Sequence, residues 1–122
     1  MFTHPILKGR VAVITGAGGV LCSSFAKDLA AVGMKVALLD LRLDAAEKAA
    51  DEIKATGATA LAVQCDVLDG ASLERARETV NSTLGTVDLL INGAGGNHPS
   101  GTTTKDKLEL CDISEKAQGV KT

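Results

Sequence analysis

Apolar residues in this chain form two kinds of stretch, which alternate along the sequence. Four short stretches are almost continuously apolar, as strands buried on both faces usually are. They cover residues 10–15, residues 35–41, a run that begins at Thr59, and residues 86–92. Between them lie longer stretches with apolar residues at helical spacing. The βαβαβαβ order predicts a doubly wound parallel α/β sheet of about four strands with flanking helices.

Each helical stretch carries an apolar stripe that predicts its buried face. The first stripe consists of Val20, Leu21, Phe25, Ala26, Leu29 and Ala30. Gly33 is expected to end this helix. The second helix covers residues 44–55 and presents Ala45, Ala46, Ala49, Ala50 and Ile53. Ser72 is expected to cap the third helix. The inward residues of the third helix are Leu73, Ala76, Val80 and Leu84.

Regular periodicity ends after Asn92. The segment GAGGNHPSGTTTKDK is rich in Gly, Ser, Thr and Pro, which is typical of a long loop, and the residues after it are only weakly periodic. We therefore expect a single domain over residues 1–122. Residues 8–96 are predicted to form its βαβαβαβ core, and residues 97–122 a loop and a weakly helical tail.

Composition and charge narrow the classes of function. With 13 Lys and Arg against 15 Asp and Glu, the net charge of −2 gives no basic field, which disfavours nucleic acid as a partner. No apolar run is long enough to span a membrane and no signal peptide is evident, so we predict a cytoplasmic protein. The three cysteines are far apart, which predicts reduced thiols and no metal site. The chain contains no tyrosine, so it cannot supply a tyrosine acid or base.

The stretch TGAGGVLC, residues 15–22, follows the first strand and opens the first helix. Gly16 and Gly19 permit a tight turn in which backbone N–H groups approach a pyrophosphate at the helix N-terminus. Cys22 stands where the last glycine of such a turn is expected. The alternative interpretation is a plain turn between a strand and a helix.

Acidic residues end the second and third strands. Asp40 follows Gly19 by 21 residues, the spacing at which an acid accepts hydrogen bonds from the adenosine ribose. A carboxylate there repels a 2′-phosphate and favours NAD over NADP, although the nearby Arg42 opposes that preference. Asp66 is expected either to bind the adenine amino group or to cap the turn toward Ser72. The alternative interpretation of Asp40 is an exposed residue that ends a strand and binds no ligand.

The runs VAVITGAGGVL, LLD, CDV and LLINGAGG resemble the N-terminal half of the short-chain dehydrogenase/reductase family, over residues 8–96. INGAGGNHP together with GGVL is similar to its mannonate or fructuronate oxidoreductase branch. The resemblance implies a partial Rossmann domain with its strands in order 3-2-1-4. It also implies that this domain binds NAD, with Asp40 at the ribose. It implies that the remaining contacts with the dinucleotide come from Gly16, Gly19, Val20, Leu21, Asp66, Val67, Asn92, Gly93, Ala94 and Gly95. Cys22 in place of glycine, and Gly93 in place of a second asparagine, depart from the family motifs.

The resemblance also implies what this chain cannot do alone. Family catalysis uses a Ser and a Tyr-x-x-x-Lys pair that come after the fourth strand, and a complete member would be roughly twice as long. We therefore expect no catalytic residues here. The complete enzyme would transfer hydride between nicotinamide and a secondary alcohol or ketone, such as a sugar acid. His98 and Ser100 are expected to be loop residues rather than substitutes for the missing pair.

Two other classes of function fit part of the pattern. A non-catalytic nucleotide-binding or interaction module would expose the edge of its fourth strand and self-associate through it. An S-adenosylmethionine-binding Rossmann domain shares the glycine-rich turn and the acid after the second strand. The NGAGG run after the fourth strand favours the dehydrogenase over the S-adenosylmethionine-binding domain.

Overall fold

A computed structural model describes residues 4–95 of the chain. Its elements are β1 (Val11–Thr15), α1 (Val20–Ala31), β2 (Lys35–Asp40), α2 (Leu43–Lys54), β3 (Ala60–Gln64), α3 (Gly70–Thr83) and β4 (Val87–Asn92). All strand pairs are parallel and the order is β3-β2-β1-β4. This confirms the predicted sheet. The calls on residues 97–122 lie outside the described part of the chain.

The two central strands are buried on both faces, which explains their continuous apolar character. On one face, Ile14 and Leu38 pack with the buried residues of α1 and α2. On the other face, Val13 and Leu39 pack with α3 through Ala76 and Val80. The sheet is therefore the middle layer of three, and its carboxyl edge carries the loops that follow each strand.

The pairing of β1 with β4 contains an irregularity at which an aspartate side chain replaces a backbone acceptor. Val11 pairs with Val87 and Ala12 with Leu89, so Asp88 has no opposite residue in β1. The Asp88 Oδ2 atom instead accepts a hydrogen bond from the Val11 amide at 2.9 Å, and Oδ1 lies 3.6 Å from Arg10 Nη1. The side chain thus satisfies a strand amide at the point where the register shifts.

The buried face of α1 differs from the predicted stripe. Val20 is 90% exposed, Leu21 is 65% exposed and Phe25 also faces solvent in part, whereas Cys22 is buried together with Ala26 and Ala30. The prediction was wrong for the three large residues. The reason is that small side chains at four-residue spacing let the helix lie close to the sheet, which turns the bulkier neighbours outward.

The start of α3 also differs from the prediction. Asp69, not Ser72, is the N-cap, and its Oδ1 atom accepts from the Ala71 amide at 3.1 Å. Ser72 lies inside the helix, where its buried hydroxyl accepts from the Asp66 amide at 2.9 Å. Leu73, predicted to face inward, is instead substantially exposed. The helix begins earlier than expected because the extended backbone of Asp69 already provides a cap.

Candidate functional site

The turn after β1 lies directly against the backbone that follows β4. Gly16 has a φ of +66°, and a Cβ atom on it would lie 2.9 Å from the Ala94 nitrogen and from the carbonyl carbon and oxygen of Gly93. The Ala17 amide donates to the Leu39 carbonyl at 3.1 Å, which ties the turn to β2 as well. Glycine is required at position 16 by both backbone conformation and space.

Asp40 joins the end of β2 to the glycine-rich turn. Its Oδ2 atom accepts from the Gly18 amide at 2.9 Å, and its Oδ1 atom accepts from the Arg42 amide at 2.9 Å. A Cβ atom on Gly18 would lie 2.5 Å from the Ala45 Cβ and 2.9 Å from Asp40 Oδ2. The carboxylate is therefore held at the turn before any ligand arrives. Gly18 was not predicted as a site residue.

The Arg42 guanidinium is drawn to a second carboxylate. Arg42 Nη2 lies 3.6 Å from Asp44 Oδ2, and both side chains are largely exposed. An exposed pair of this kind contributes little to stability. It nevertheless places a negative charge beside the Arg42 guanidinium.

The start of α1 offers backbone amides at the same edge. Gly19 is the N-cap and supplies no side-chain acceptor, so no side chain caps the first turn. The first N–H groups of a helix have no partner within the helix and carry the positive end of its dipole. Because the Val20 and Leu21 side chains point to solvent, these two predicted residues are placed to act through their backbone.

Thr15 holds the residues after β4 in place, and the sequence analysis missed it. Its buried hydroxyl accepts from the amides of both Gly93 and Ala94 at 3.1 Å. Thr15 pairs with Asn92 in the sheet, so the side chain of Thr15 at the end of β1 is within reach of the backbone that follows β4. The sequence feature that could have identified Thr15 is a polar residue at the end of an otherwise apolar strand.

We expect Thr15→Val to lower the free energy of unfolding by about 1–3 kcal/mol, because it leaves two backbone donors without their acceptor in a space of nearly unchanged shape. Urea denaturation followed by far-ultraviolet circular dichroism measures the change, since the chain contains neither Trp nor Tyr as an intrinsic fluorophore. Thr15→Ser keeps the hydroxyl and should retain most of the stability. Equal losses in both variants would contradict this role for the hydroxyl.

The third predicted contact region follows β3. The Cys65 amide donates to the Asp40 carbonyl at 3.0 Å, so Asp66 lies beside the end of β2. Asp66 Oδ1 accepts from the Leu68 amide at 3.0 Å, in keeping with a role in the turn. Val67 packs against the cluster beneath α3. Adenine binding by Asp66 and Val67 stays a prediction, as do the cofactor contacts of the other site residues.

Residues 4–95 hold no cluster of three or more His, Cys, Asp or Glu side chains that would suit a metal ion. Within the same range, no helix is long and apolar enough to cross a membrane. Gly95 ends the described part of the chain, and a Cβ atom there would meet open space. His98 and Ser100 lie outside the described residues.

The fold is of the Rossmann type, because the parallel sheet has the order 3-2-1-4 and a glycine-rich turn precedes the first helix, with an acid hydrogen-bonded to that turn. The family profile described as short chain dehydrogenase matches residues 10–115. The chain therefore belongs to the short-chain dehydrogenase family.

Individual relatives agree with this assignment. The chain is 53% identical over 106 residues to UxuB, an uncharacterised oxidoreductase of Bacillus subtilis. The match covers 87% of this chain and 38% of the relative. It is 39% identical over 93 residues to the 7alpha-hydroxysteroid dehydrogenase of Escherichia coli K12, covering 76% of this chain and 36% of the relative. The chain thus spans less than two fifths of these relatives' length.

A solved structure with a bound cofactor is also similar. A provisionally assigned D-mannonate oxidoreductase from Haemophilus influenza, crystallised with bound NAD, superimposes with a TM-score of 0.75 at 44% identity. The match covers 85% of this chain and 37% of that chain. It confirms the fold predicted from the sequence.

Proposed function

We propose that this chain is the NAD(H)-binding half of a short-chain dehydrogenase/reductase. The observation that carries the proposal is the hydrogen bond of 2.9 Å from the Gly18 amide to Asp40 Oδ2. This bond brings an acid and a glycine-rich turn together at the carboxyl edge of a parallel sheet, where dinucleotides bind. The NAD in the similar Haemophilus structure supports the choice of ligand.

In this proposal each loop contacts one part of the cofactor. The amides of Gly16, Val20 and Leu21 face the pyrophosphate. The Gly19 amide donates to the Gly16 carbonyl at 3.1 Å, so Gly19 gives the pyrophosphate room rather than a hydrogen bond. The remaining lone pairs of the Asp40 oxygens accept from the ribose hydroxyls. Adenine lies near Asp66 and Val67. The central part of the cofactor lies along Asn92, Gly93, Ala94 and Gly95.

The preference for NAD over NADP rests on charge. Asp40 would place a carboxylate against a 2′-phosphate, and like charges in close contact cost several kcal/mol. Arg42 is the nearest candidate to relieve that repulsion, but its guanidinium is within 3.6 Å of Asp44. Both observations favour a cofactor without the 2′-phosphate.

When bound, NAD supplies a hydride acceptor, and the residues described above bind and orient it. Because the 122 residues include no tyrosine, we propose that this chain alone binds the cofactor without turning over a substrate. The complete enzyme would interconvert a secondary alcohol and a ketone. A sugar acid is the favoured substrate class, since identity to the D-mannonate oxidoreductase is 44% and to a solved hydroxysteroid dehydrogenase 36%. A cytoplasmic location agrees with the free thiols of Cys22 and Cys65.

Titration of the purified chain with NADH, NADPH and S-adenosylmethionine tests the cofactor proposal. We expect saturable binding of NADH, at least tenfold weaker binding of NADPH because of the repulsion at Asp40, and none of S-adenosylmethionine. The fluorescence of the reduced nicotinamide reports the binding of NADH and of NADPH, and calorimetry reports the binding of S-adenosylmethionine. Absence of NADH binding by a folded chain, or tighter binding of S-adenosylmethionine, would overturn the proposal.

A second property concerns the outer edge of the sheet, and we propose that a second copy of the chain associates there. Within residues 4–95, β4 pairs with β1 alone, and Leu90 on β4 is 54% exposed. Beside it, a groove of about 520 Å³ is lined largely by apolar side chains of the sheet and α3. A strand whose outer edge has no partner, and which carries exposed apolar side chains, favours pairing with another chain.

Leu90→Lys is expected to abolish this association, because a charge on the strand would be buried at the new interface. Sedimentation velocity over a range of concentrations measures it, with a concentration-dependent dimer expected for the unaltered chain. Leu68→Lys, at an exposed leucine after β3, is the matched control and should still associate. A wild-type chain that stays monomeric at high concentration would contradict the proposal.

A further inference from the structure

Cys22 and Gly93 share one small space between the first turn of α1 and the end of β4. Cys22 is buried, with 8% of its surface exposed. A Cβ atom on Gly93 would overlap with the Cys22 Sγ atom, and it would lie 2.8 Å from the Thr15 carbonyl oxygen. The thiol therefore occupies the volume that any side chain at position 93 would need.

The Cys22 Cβ atom does not create this conflict. It would lie 3.5 Å from a Cβ atom on Gly93, which is an ordinary van der Waals distance. The sulfur is therefore the one side-chain atom that excludes a side chain at position 93, and the Thr15 carbonyl oxygen is the backbone atom that does so. The two residues are thus matched in size through a single atom, and interiors packed as densely as those of proteins transmit a misfit of that kind to the surrounding backbone.

The backbone around Gly93 forms one wall of the proposed cofactor crevice. The amides of Gly93 and Ala94 are held by the Thr15 hydroxyl at 3.1 Å, and Gly16 of the glycine-rich turn approaches the same two residues. Displacement of residue 93 would therefore move the wall and the turn together. Asp40 lies at the end of β2, on the far side of β1 from β4, and it contacts the turn through Gly18 rather than through Gly16, which approaches residues 93 and 94.

We propose that Cys22 and Gly93 act as a size-matched pair, and that the Cys22 thiol is a positioning residue for the central part of the dinucleotide. This inference rests on the proposed function. The thiol sets how closely residues 93–94 approach the glycine-rich turn, and it acts through packing rather than by reacting. The two positions at which the chain departs from its family motifs thereby compensate each other.

A double-mutant cycle with Cys22→Ala and Gly93→Ala tests the pairing, with the dissociation constants of NADH and of AMP as readouts. Gly93→Ala should weaken NADH binding about tenfold through overpacking. Cys22→Ala removes only the sulfur, which leaves a small cavity beside residues 93 and 94, and it should weaken NADH binding by about threefold. In the double variant the affinity should recover by at least about threefold relative to Gly93→Ala, with a residual loss because the Thr15 carbonyl remains close.

AMP separates positioning from general stability, because its adenosine is expected to bind near Asp40 and Asp66 and because it lacks the part of the dinucleotide that would lie along residues 92–95. Its affinity should stay within about twofold in all folded variants, whereas loss of folded protein would weaken both ligands equally. Cys65→Ala combined with Gly93→Ala is the control for coupling. Cys65 is buried in the cluster beneath α3, so its change should add independently to that of Gly93→Ala.

Additive effects of Cys22→Ala and Gly93→Ala on NADH binding would overturn the pairing, and so would equal losses of NADH and AMP affinity. If Gly93→Ala does not fold, Cys22→Val tests the same contact by adding bulk at position 22. It should weaken NADH binding severalfold with AMP unchanged, and NADH binding as tight as in the unaltered chain would refute the inference. Failure of the unaltered chain to bind NADH would instead refute the proposed function.

Discussion

Gly16→Ala is expected to lose about 2–5 kcal/mol of unfolding free energy, because a positive φ costs about 1–2 kcal/mol and overpacking about 1–3 kcal/mol. The φ of +66° is unfavourable for alanine, and the new Cβ would lie 2.9 Å from backbone atoms of Gly93 and Ala94. Both partners of that contact are backbone, so neither can move aside as a flexible side chain would. Small domains are stable by about 5–15 kcal/mol, so much of the margin would be lost. We expect NADH binding to fall below detection, since the turn and the β4 loop would separate.

Gly57→Ala provides a matched control for this prediction. Gly57 has a φ of +88°, but a Cβ atom on it would meet nothing within 4 Å. The change should therefore lower the free energy of unfolding only by the cost of the positive φ, about 1–2 kcal/mol, and leave the affinity for NADH unaltered. Urea denaturation and NADH titration of both variants give the comparison. Equal destabilisation by the two substitutions would show that the contact with residues 93–94 has no energetic role.

Asp40→Asn is expected to weaken NADH binding by about tenfold or more and to narrow the gap between NADH and NADPH by a similar factor. Hydrogen bonds to a charged group are worth about 1.5–3 kcal/mol, and the substitution removes the charge that the ribose hydroxyls would meet. It also removes the repulsion toward a 2′-phosphate. One of the two backbone donors that Asp40 now satisfies, at Gly18 or Arg42, would face an amide nitrogen instead of an oxygen.

Asp51→Asn removes an equal charge from an exposed position on α2 and serves as the control. It should leave both dissociation constants within about twofold, because exposed charges at a distance are screened by salt. Competition between NADH and NADPH at fixed ionic strength measures the ratio directly. An unchanged ratio in Asp40→Asn would mean that the carboxylate does not face the 2′ position of the ribose.

Much of the candidate site was predictable because it depends on strand order. Once the alternation of strands and helices indicates a parallel sheet, the residues after each strand must meet at one edge. Gly16 and Asp40 were therefore identifiable as neighbours from their positions alone. Gly18 was not, because its role depends on the close approach of Ala45 and of the Asp40 carboxylate across the turn.

Details of packing were harder to predict from the sequence. Val20 and Leu21 have the apolar character and spacing of buried residues, yet they face solvent, because the stripe of Cys22, Ala26 and Ala30 lies against the sheet. Helical periodicity permits either stripe, and only the distance between helix and sheet selects the smaller residues. The N-cap of α3 presented a similar ambiguity, since Asp69 and Ser72 are both good capping residues.

By itself, the sequence determined the class of fold, the order of the strands and the edge at which the candidate site lies. The class of fold and the edge follow from periodicity and from the handedness of the crossovers, which are properties of the chain over short distances. The strand order follows from the resemblance of the motifs to those of the family. Only the tertiary structure decided that Thr15 holds the amides of Gly93 and Ala94, and that the Cys22 thiol fills the space beside Gly93. Such contacts join residues more than 70 positions apart, and they depend on distances of a few tenths of an ångström that no local pattern encodes.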